Sequence, residues 1–344
     1  QPLSRMAGLL RPIASGQAPE DQVVRFLDDV LGSVVGHDSD GFEYLSIAHL
    51  WEVEGSRARP ATTSSDGDGG GEEDQDVPQW YGTAKLYWDQ CAPTDDGVLG
   101  GYGSLSPKDV EGSTAFLRAL WGSRSELGRR CAVDCGAGIG RVTRHLLLPL
   151  FDEVHLLEQS PPLIEAAPAY IGEAGAARTT LICRGMQAFD PEPGVYDVVW
   201  IQWVIGHLTD QDLVSFLHRC AKGLAPGGVI CMKDNCYAGE LQENGSYEHF
   251  FVDLDDSSVT RSLPYFEALF RFAGFRITRR MKQSGFPEEL FPVWMLALEP
   301  DPSARALAGS GPDVSSKLEE AGQWGRGREE QPQEQDGGVE VEEV

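Results

Sequence analysis

A strand–turn–helix motif constrains the fold of this 344-residue chain more than any other stretch. In CAVDCGAGIGRVTRHLLLPL, residues 131–150, a short apolar run ends at an acid, turns through three glycines and continues with apolar residues at helical spacing. Such a turn lets a ligand approach the backbone at a helix N-terminus. It serves dinucleotides, nucleotides and S-adenosylmethionine alike, so the motif predicts a cofactor site without selecting the cofactor.

Two features around this loop favour one of these cofactors. The glycines follow G-x-G-x-G from Gly136, and Arg141 occupies the place of the third glycine of a dinucleotide-binding fold. Asp134, directly before the turn, would repel a pyrophosphate but suits a cationic sulfonium ligand. Glu158 ends the next apolar run, where an acid can bind a ribose diol. We expect S-adenosylmethionine rather than NAD; the alternative is an ordinary βαβ turn with incidental acids.

The charge of the chain narrows the class of partner. There are 54 acidic and 28 basic residues, a formal net charge of −26, and no basic stripe. Such a chain repels phosphate, so we expect no direct contact with nucleic acid, and a cationic partner suits it better. The alternative is that the acidic segments serve solubility alone.

Cysteine usage and hydropathy indicate the compartment. Seven cysteines without any C-x-x-C spacing are typical of reduced core thiols, and we expect no metal site. The sequence has no apolar run as long as a membrane span, and no apolar leader after a basic start. We therefore expect a soluble intracellular protein that does not contact membranes, with nucleus and cytoplasm both open.

Composition divides the chain into four parts. Residues 1–53 form an N-terminal extension with one amphipathic helix, DQVVRFLDDVLGSVV, and no assignable role. Residues 54–78 are rich in Gly, Ser and Asp and are expected to be a flexible acidic linker, with order beginning at Trp80. The main domain spans 79–300, and residues 301–344 are expected to be a disordered acidic tail.

Predicted strands and helices alternate along the main domain. After the glycine loop, strands are predicted at 154–158, 180–183, 196–204, 229–233, 275–279 and 293–298, and helices at 163–172, 213–224 and 264–274. This alternation predicts an α/β fold with a doubly wound, mostly parallel sheet that binds its ligand at the carboxyl ends of the strands. With its last two strands antiparallel, the pattern resembles the seven-stranded, Rossmann-like sheet of class I S-adenosylmethionine-dependent methyltransferases.

Three segments carry a closer resemblance. They are TAKLYWDQCAPTDDGVLGGYG at 83–103, DCGAGIGR with LLLPLF, and DVVWIQWVIGHLTDQDL at 197–213, joined by KDN at 233–235 and DLDDSSVTR at 253–261. With these motifs, over about residues 79–300, the chain resembles the eukaryotic protein α-N-terminal methyltransferases. The resemblance implies an enzyme that transfers one to three methyl groups from S-adenosylmethionine to the α-amino group of proteins beginning Xaa-Pro-Lys or Xaa-Pro-Arg.

The resemblance implies a cofactor site along the strand ends. Arg141 is expected to bind the cofactor's carboxylate, and Glu158 stands where the family usually carries Asp for the ribose hydroxyls. Met186 and Gln187 are expected to flank the adenine. The implied cofactor-binding residues are Gly136, Arg141, Glu158, Gln159, Ser160, Met186, Gln187 and Gln202.

The chemistry of the implied substrate requires a base. A free α-amine has a pKa of about 7.7–8.0, so near neutral pH much of it is protonated and cannot attack a methyl group. His207 and Asp256 resemble the pair to which the family assigns deprotonation. We expect Asp256 to hold the amine and His207 to assist proton loss; the division between them is open.

The resemblance also implies a peptide channel. Trp203 is expected to lie against the second-residue proline, and Asn235 to bind the first carbonyl. Asp253 and Asp255 are expected to attract the third-residue Lys or Arg. Leu254 replaces an acid of the family pattern, and Asp255 is expected to compensate for its loss. Further channel residues are Leu99, Tyr102, Leu290 and Phe291, with Tyr87 and Trp88 on an N-terminal helical lid. Extra residues around GELQENGSYEHFF depart from the family pattern.

Two alternatives stay open at this stage, and so does the oligomeric state. One is a methyltransferase that acts on another amine substrate and lacks the peptide channel. The other is a non-catalytic protein that keeps the cofactor fold and binds basic partners, such as histones, through its acidic tail.

Overall fold

A computed structural model of the protein describes residues 20–56, 79–239, 241–242, 245–302 and 341–343. In chain order, the α-helices are α1 (Glu20–Leu31), α2 (Ile47–Ser56), α3 (Gln79–Asp89), α4 (Asp95–Val98), α5 (Ser106–Ser123), α6 (Pro161–Ile171), α7 (Glu173–Ala176), α8 (Asp210–Gly223) and α9 (Leu263–Phe272). Short 3₁₀ turns cover Gly103–Leu105, Met186–Ala188 and Ile205–His207, and a π-helical segment covers Thr143–Leu147.

The strands form two sheets. They are β1 (Val34–Asp38), β2 (Glu43–Tyr44), β3 (Cys131–Cys135), β4 (Glu153–Glu158), β5 (Thr179–Cys183), β6 (Tyr196–Gln202), β7 (Leu224–Asn235), β8 (Tyr247–Asp253), β9 (Ser258–Arg261), β10 (Phe275–Lys282), β11 (Val293–Pro300) and β12 (Val341–Glu343). The larger sheet has the order β12-β10-β11-β7-β6-β3-β4-β5, and the smaller one has the order β2-β1-β8-β9.

The larger sheet confirms the predicted fold class. Strands β3 to β7 are parallel, and β11 and β10 follow as an antiparallel pair beyond β7. The strand order reverses between β3 and β6, and ligands of doubly wound sheets bind at the carboxyl ends of the strands at such a switch point. The glycine loop follows β3, and Trp203 follows β6, so both predicted motifs lie at this point.

Side-chain alternation along the buried strands explains the two core layers. In β6, Val198 and Trp200 belong to the layer beneath α5, whereas Val199 and Ile201 belong to the layer beneath α8. Successive residues of a strand point to opposite faces, so a strand that is apolar throughout is buried on both sides. The sheet therefore lies in the middle of the domain, and the carboxyl ends of its parallel strands are left for binding.

Capping residues set the start of two helices beside the sheet. The Thr209 hydroxyl accepts a hydrogen bond from the Asp212 amide at 3.2 Å, which satisfies one of the open donors at the start of α8. Ser262 caps α9 in the same way through the Tyr265 amide. Helix α8 thereby begins three residues after His207 and fixes the turn that carries it.

The smaller sheet corrects the predicted organisation of the N-terminus. Order does not begin at Trp80, because residues 20–56 fold onto the main domain. The expected helix ends at Leu31, Gly32 turns the chain with φ +80°, and Val34 starts β1, which pairs in parallel with β8. Of the expected linker at 54–78, residues 54–56 end α2 and residues 57–78 lie outside the described residues.

The tail needs a smaller correction. Val341–Glu343 forms β12, antiparallel to β10 at Arg279, Arg280 and Met281, so the expectation of disorder is wrong for these three residues. Residues 303–340 lie outside the described residues. The sequence patterns did not indicate α5 or the β8–β9 hairpin, both of which carry parts of the candidate active site.

Candidate active site

The glycine loop after β3 is shaped for close approach. Gly136 has φ +65°, and a Cβ atom there would overlap the side chain of Val204. The Gly138 amide donates to Oε2 of Glu158 at 2.9 Å, and the Ser160 amide donates to Oε1 at 2.8 Å. Burial raises the pKa of Glu158, and these backbone donors oppose the shift. Glu158 is therefore held as an acceptor at the predicted ribose position.

A cavity at the switch point gathers most of the predicted cofactor residues. It is lined by Gly136, Arg141, Glu158, Gln159, Met186, Gln187 and Gln202, together with Asp134, Tyr81, Leu163 and Arg184, which the resemblance did not assign. Ser160 is not in this lining; it is buried, and its hydroxyl donates to the Trp88 carbonyl oxygen at 3.4 Å. Ser160 therefore acts on the cavity through its amide bond to Glu158.

A buried ionic network holds two of these residues. Asp109 Oδ2 lies 2.7 Å from Arg141 Nη1, and Gln202 Nε2 donates to Asp109 Oδ1 at 2.9 Å. Lys233, fully buried, lies 2.5 Å from the same carboxylate and also donates to Gln283 Oε1 at 2.7 Å. Burial lowers the pKa of Lys233 to about 8, against the attraction of Asp109. Asp109 thus orients Arg141 and Gln202, and no local pattern in the sequence marks it.

A second cavity of about 460 Å³ adjoins the first. Of the predicted substrate residues it is lined by Leu99, Trp203, Asn235, Asp253, Leu290 and Phe291, and also by Asp256, Tyr87 and Tyr102. Trp88, Val98, Leu99, Trp203, Val204 and His207 line both cavities. The arrangement lets a group in one cavity meet a group in the other beside Trp203 and His207.

The expected catalytic pair lies at this junction. His207 Nδ1 donates to the carbonyl oxygen of Ser257 at 3.1 Å, and Trp88 Nε1 donates to His207 Nε2 at 3.0 Å. Both ring nitrogens of His207 therefore have hydrogen-bond partners. Oδ1 of Asp256 is buried and has no hydrogen-bond partner among the described residues. Burial raises the pKa of Asp256, and the charge of His207 and a hydrogen bond from Ser258 act in the opposite direction.

Backbone strain is concentrated beside the same pair. Within the described ranges, the non-glycine residues with positive φ are Trp203 and Ser257, both at 53°. Such residues cost on the order of 1–3 kcal/mol and persist where the surrounding structure holds them. The Trp203 amide donates to the Lys233 carbonyl oxygen at 3.0 Å, and its ring lies 6.3 Å from that of Phe286. With this backbone conformation, Trp203 lies at the junction and lines both cavities.

The acids of the second cavity differ from the expected set. Asp253 lines it, but Asp255 does not; the Asp255 amide donates to Asp253 Oδ1 at 3.0 Å on the outside of the turn. Glu289, which sequence analysis missed, lines the cavity instead. It precedes Leu290 in a loop without regular structure, so periodicity could not indicate it.

Three residues with metal-ligating atoms lie close together outside the linings of both cavities. Cys131, Glu153 and His155 bring one ligand atom each to within 4.8 Å of one another, near the amino ends of β3 and β4. Both ring nitrogens of His155 are already hydrogen-bonded, Nδ1 with Tyr196 Oη at 2.8 Å and Nε2 with Glu153 at 3.2 Å. Burial raises the pKa of the Cys131 thiol to about 12, which disfavours the thiolate that binds metals.

Comparison with known proteins places the chain in a family. Residues 76–299 match the model of the AdoMet dependent proline di-methyltransferases. The chain belongs to this family. Family membership confirms the predictions of a methyltransferase and of S-adenosylmethionine as its cofactor. The residues around the first cavity fit that cofactor, since Gly136 leaves room at the loop and Glu158 offers acceptors for hydroxyl groups.

Several known proteins resemble the chain across this region. N-terminal Xaa-Pro-Lys N-methyltransferase 1 of Mus musculus is 45% identical over 65% of this chain and 97% of its own length. The Homo sapiens relative of the same name is 44% identical over the same shares. A solved SAM-dependent methyltransferase of Leishmania major has a TM-score of 0.64 and 34% identity, over 78% of this chain and 96% of its own. In the described part of the chain, none of the helices is long and apolar enough to cross a bilayer.

Proposed function

We propose that this protein methylates the α-amino group of proteins that begin Xaa-Pro-Lys or Xaa-Pro-Arg. The observation that carries the proposal is the buried, unpartnered Oδ1 atom of Asp256, at the point where an acidic cavity meets the cofactor cavity of a methyltransferase. The names of the mouse and human relatives supply the substrate class.

The first cavity supplies the groups that hold the cofactor. S-adenosylmethionine, when bound, provides an electrophilic methyl group. Glu158 offers carboxylate oxygens to the ribose hydroxyls, and Arg141 offers a guanidinium to the carboxylate. Met186 and Gln187 line the same cavity and are the residues assigned here to the adenine. Asp109 holds the side chains of Arg141 and Gln202 in their orientation.

Asp256 and His207 divide the handling of the proton. The substrate ammonium supplies the hydrogen bond and the positive charge that Asp256 Oδ1 lacks, so this carboxylate holds the amine at the junction. His207 can accept a proton at Nε2 only after the Trp88 indole leaves that nitrogen. Trp88 lies on α3 and lines both cavities. A shift of α3 when a ligand binds would free Nε2 of His207, and ligand binding would thereby be coupled to proton removal.

The other cavity residues supply sequence specificity. Trp203, backed by Phe286, presents a flat apolar surface for the second-residue proline. Asn235 offers an amide to the first carbonyl, as the resemblance implies. Asp253 and Glu289 provide negative charge for the third-residue Lys or Arg, in place of the Asp253–Asp255 pair expected from the sequence.

Mass spectrometry of short peptides tests the proposal. The full chain is incubated with S-adenosylmethionine and peptides that begin Ser-Pro-Lys, Ser-Pro-Glu or Ser-Ala-Lys. We expect methyl groups on the α-amine of the first peptide and little on the other two. A Ser-Pro-Lys peptide with an acetylated N-terminus is the matched control and should stay unmodified. Methylation of that control at lysine, or equal use of all three free peptides, would overturn the proposal.

A further inference from the structure

The N-terminal extension contacts the segment that carries Asp256. Strand β1 pairs in parallel with β8 from Val34 to Asp38, and residues 34–38 lie outside the 76–299 match of the family. The contact continues beyond the strands, because the Ser39 amide donates to the Val252 carbonyl oxygen at 2.9 Å. The Leu254 amide lies 3.4 Å from the Ser39 hydroxyl. The backbone of the extension thus follows β8 into the turn that precedes Asp256.

The pairing of β1 with β8 adds a third strand to the β8–β9 hairpin. A two-stranded hairpin alone is marginally stable in water, and a third strand with a buried face stabilises it. Gly36 makes the approach close: a Cβ atom at this position would overlap the carbonyl oxygen and the ring of Phe250. Phe250 is fully buried against Tyr44 and Tyr265, with ring centroids 5.9 and 6.3 Å away.

A second contact reaches the wall of the peptide cavity. The His37 ring lies 5.3 Å from Phe251 and 6.0 Å from Tyr237, edge-on to both. These two rings lie 5.9 and 5.8 Å from Phe291, which lines the cavity. His37 also lies 3.4 Å from Glu248. The extension therefore supports Phe291 through one intermediate layer of aromatic rings.

A third contact reaches the turn that carries His207. Trp51 on α2 donates from Nε1 to Asp210 Oδ2 at 2.9 Å, and its ring lies 5.4 Å from that of Trp80. Trp80 in turn donates to the carbonyl oxygen of His207 at 2.7 Å. Asp210 also binds Arg261, the last residue of β9, at 2.9 Å. Through Asp210 and Trp80, Trp51 thus connects the extension both to β9 and to the turn that carries His207.

We propose that residues 34–51 act as a brace that positions Asp256 and His207 for the reaction. The inference rests on the proposed function, since it assigns these residues to the base of that reaction. Residues 34–51 line neither cavity, so the brace acts only by fixing the position of the β8–β9 turn relative to the turn that carries His207. Small misplacements of reacting groups cost large factors in rate, which is why such a support affects turnover.

The position of the brace relative to the cavities makes the inference testable. No residue of 20–56 or 247–261 is among those that line the cofactor cavity. Loosening the pairing of β1 with β8, which leaves the Trp51 and Trp80 contacts at the His207 turn in place, should therefore slow methyl transfer while leaving cofactor affinity unchanged. A general loss of folding would lower both together.

The experiment compares three variants of the full chain with the wild type. Gly36→Val forces β1 away from β8, and His37→Ala removes the ring behind Phe251 without touching the buried core. Gly55→Ala is the matched control, because a Cβ atom there has no neighbour within 4 Å. Each protein is assayed for kcat and KM with a Ser-Pro-Lys peptide, and for S-adenosylhomocysteine affinity by calorimetry. Hydrogen exchange of residues 247–261 and of residues 131–160 is measured alongside.

If residues 34–51 act as a brace, the variants should lower kcat without lowering the affinity for S-adenosylhomocysteine. We expect kcat to fall about tenfold in Gly36→Val and about threefold in His37→Ala, with S-adenosylhomocysteine affinity within about twofold of wild type. Exchange should rise in 247–261 and not in 131–160, and Gly55→Ala should match wild type throughout. Unchanged exchange in 247–261, unchanged kcat, or parallel losses of kcat and cofactor affinity would overturn the brace. A wild-type chain that leaves the peptide unmethylated would instead refute the proposed function, and the exchange of 247–261 would still decide on the brace.

Discussion

The Nδ1 atom of His207 lies 3.1 Å from the carbonyl oxygen of Ser257 and donates to it. This bond joins the turn after β6 to the turn between β8 and β9, which are 50 residues apart along the chain. Ser257 needs a left-handed backbone, φ 53°, to present that oxygen. Since Asp256 directly precedes Ser257, this bond links the positions of the two candidate catalytic residues.

Asp256→Asn should lower kcat for a Ser-Pro-Lys peptide by about 100-fold or more, because the amide removes the negative charge that holds the ammonium. Affinity for S-adenosylhomocysteine should stay within about twofold, since Asp256 is not in the cofactor cavity. Steady-state kinetics and calorimetry measure the two quantities. Asp255→Asn, outside the peptide cavity, is the control and should keep near wild-type turnover. A wild-type rate for Asp256→Asn would remove this residue from the mechanism.

Glu289→Gln should weaken the preference for a basic third residue. We expect kcat/KM to fall about fivefold for Ser-Pro-Lys and to stay unchanged for Ser-Pro-Gln, because only the charged side chain loses its partner. Competition between the two peptides, followed by mass spectrometry, measures the ratio directly. Glu288→Gln is the adjacent control, since Glu288 is exposed and lies outside the cavity lining. An unchanged ratio in Glu289→Gln would leave recognition of the third residue to Asp253.

Gly136→Ala should weaken S-adenosylhomocysteine binding at least tenfold. The added methyl group overlaps Val204 and the residue must keep φ +65°, so both space and backbone oppose the substitution. Gly172→Ala is the control and should keep the wild-type affinity, because Gly172 also has a positive φ, +84°, but lies outside the lining of the cofactor cavity. Calorimetric titration of both variants is the measurement. Equal affinity in Gly136→Ala and wild type would show that the loop does not contact the cofactor.

Asp134→Asn should make stability less dependent on pH. Burial raises the pKa of Asp134 to about 6, so the folded state binds this proton more tightly than the unfolded state does. The resulting stability is fully present below the unfolded pKa of about 3.9 and is lost as pH rises through about 6. The variant cannot ionise but can still accept the bond that Thr143 donates at 2.7 Å.

Urea denaturation at pH 4.5 and 7.5 measures this effect. Relative to wild type, the variant should gain about 2 kcal/mol between the two pH values, since each pKa unit corresponds to about 1.4 kcal/mol and only the shift above pH 4.5 contributes. Asp152→Asn, at an exposed position, should show no such gain. A variant whose stability follows the wild type at both pH values would contradict the raised pKa of Asp134.

Local patterns were sufficient for much of the fold and of the cofactor site. The glycine loop and the apolar strands β4 to β7 could be predicted because turn chemistry and hydrophobic periodicity depend on neighbouring residues. The same holds for Glu158, the last residue of β4, whereas Gln202, the last residue of β6, was assigned to the cofactor by the resemblance. The catalytic roles came from resemblance, and they stay predictions until the variants are measured.

Long-range pairing decided what could not be predicted. Lys233 and Asp109 are 124 residues apart, and their 2.5 Å contact depends on how α5 packs over β7. The exchange of Asp255 for Glu289 in the peptide cavity depends on which way one turn faces.

The sequence by itself determined the doubly wound sheet, the position of its cofactor loop and the residue types at its strand ends, since those follow from local spacing and turn chemistry. Only the tertiary structure decided that β1 of the N-terminal extension pairs with β8 and thereby supports Asp256. A strand's hydrophobic pattern specifies which face is buried but not which distant strand becomes its partner.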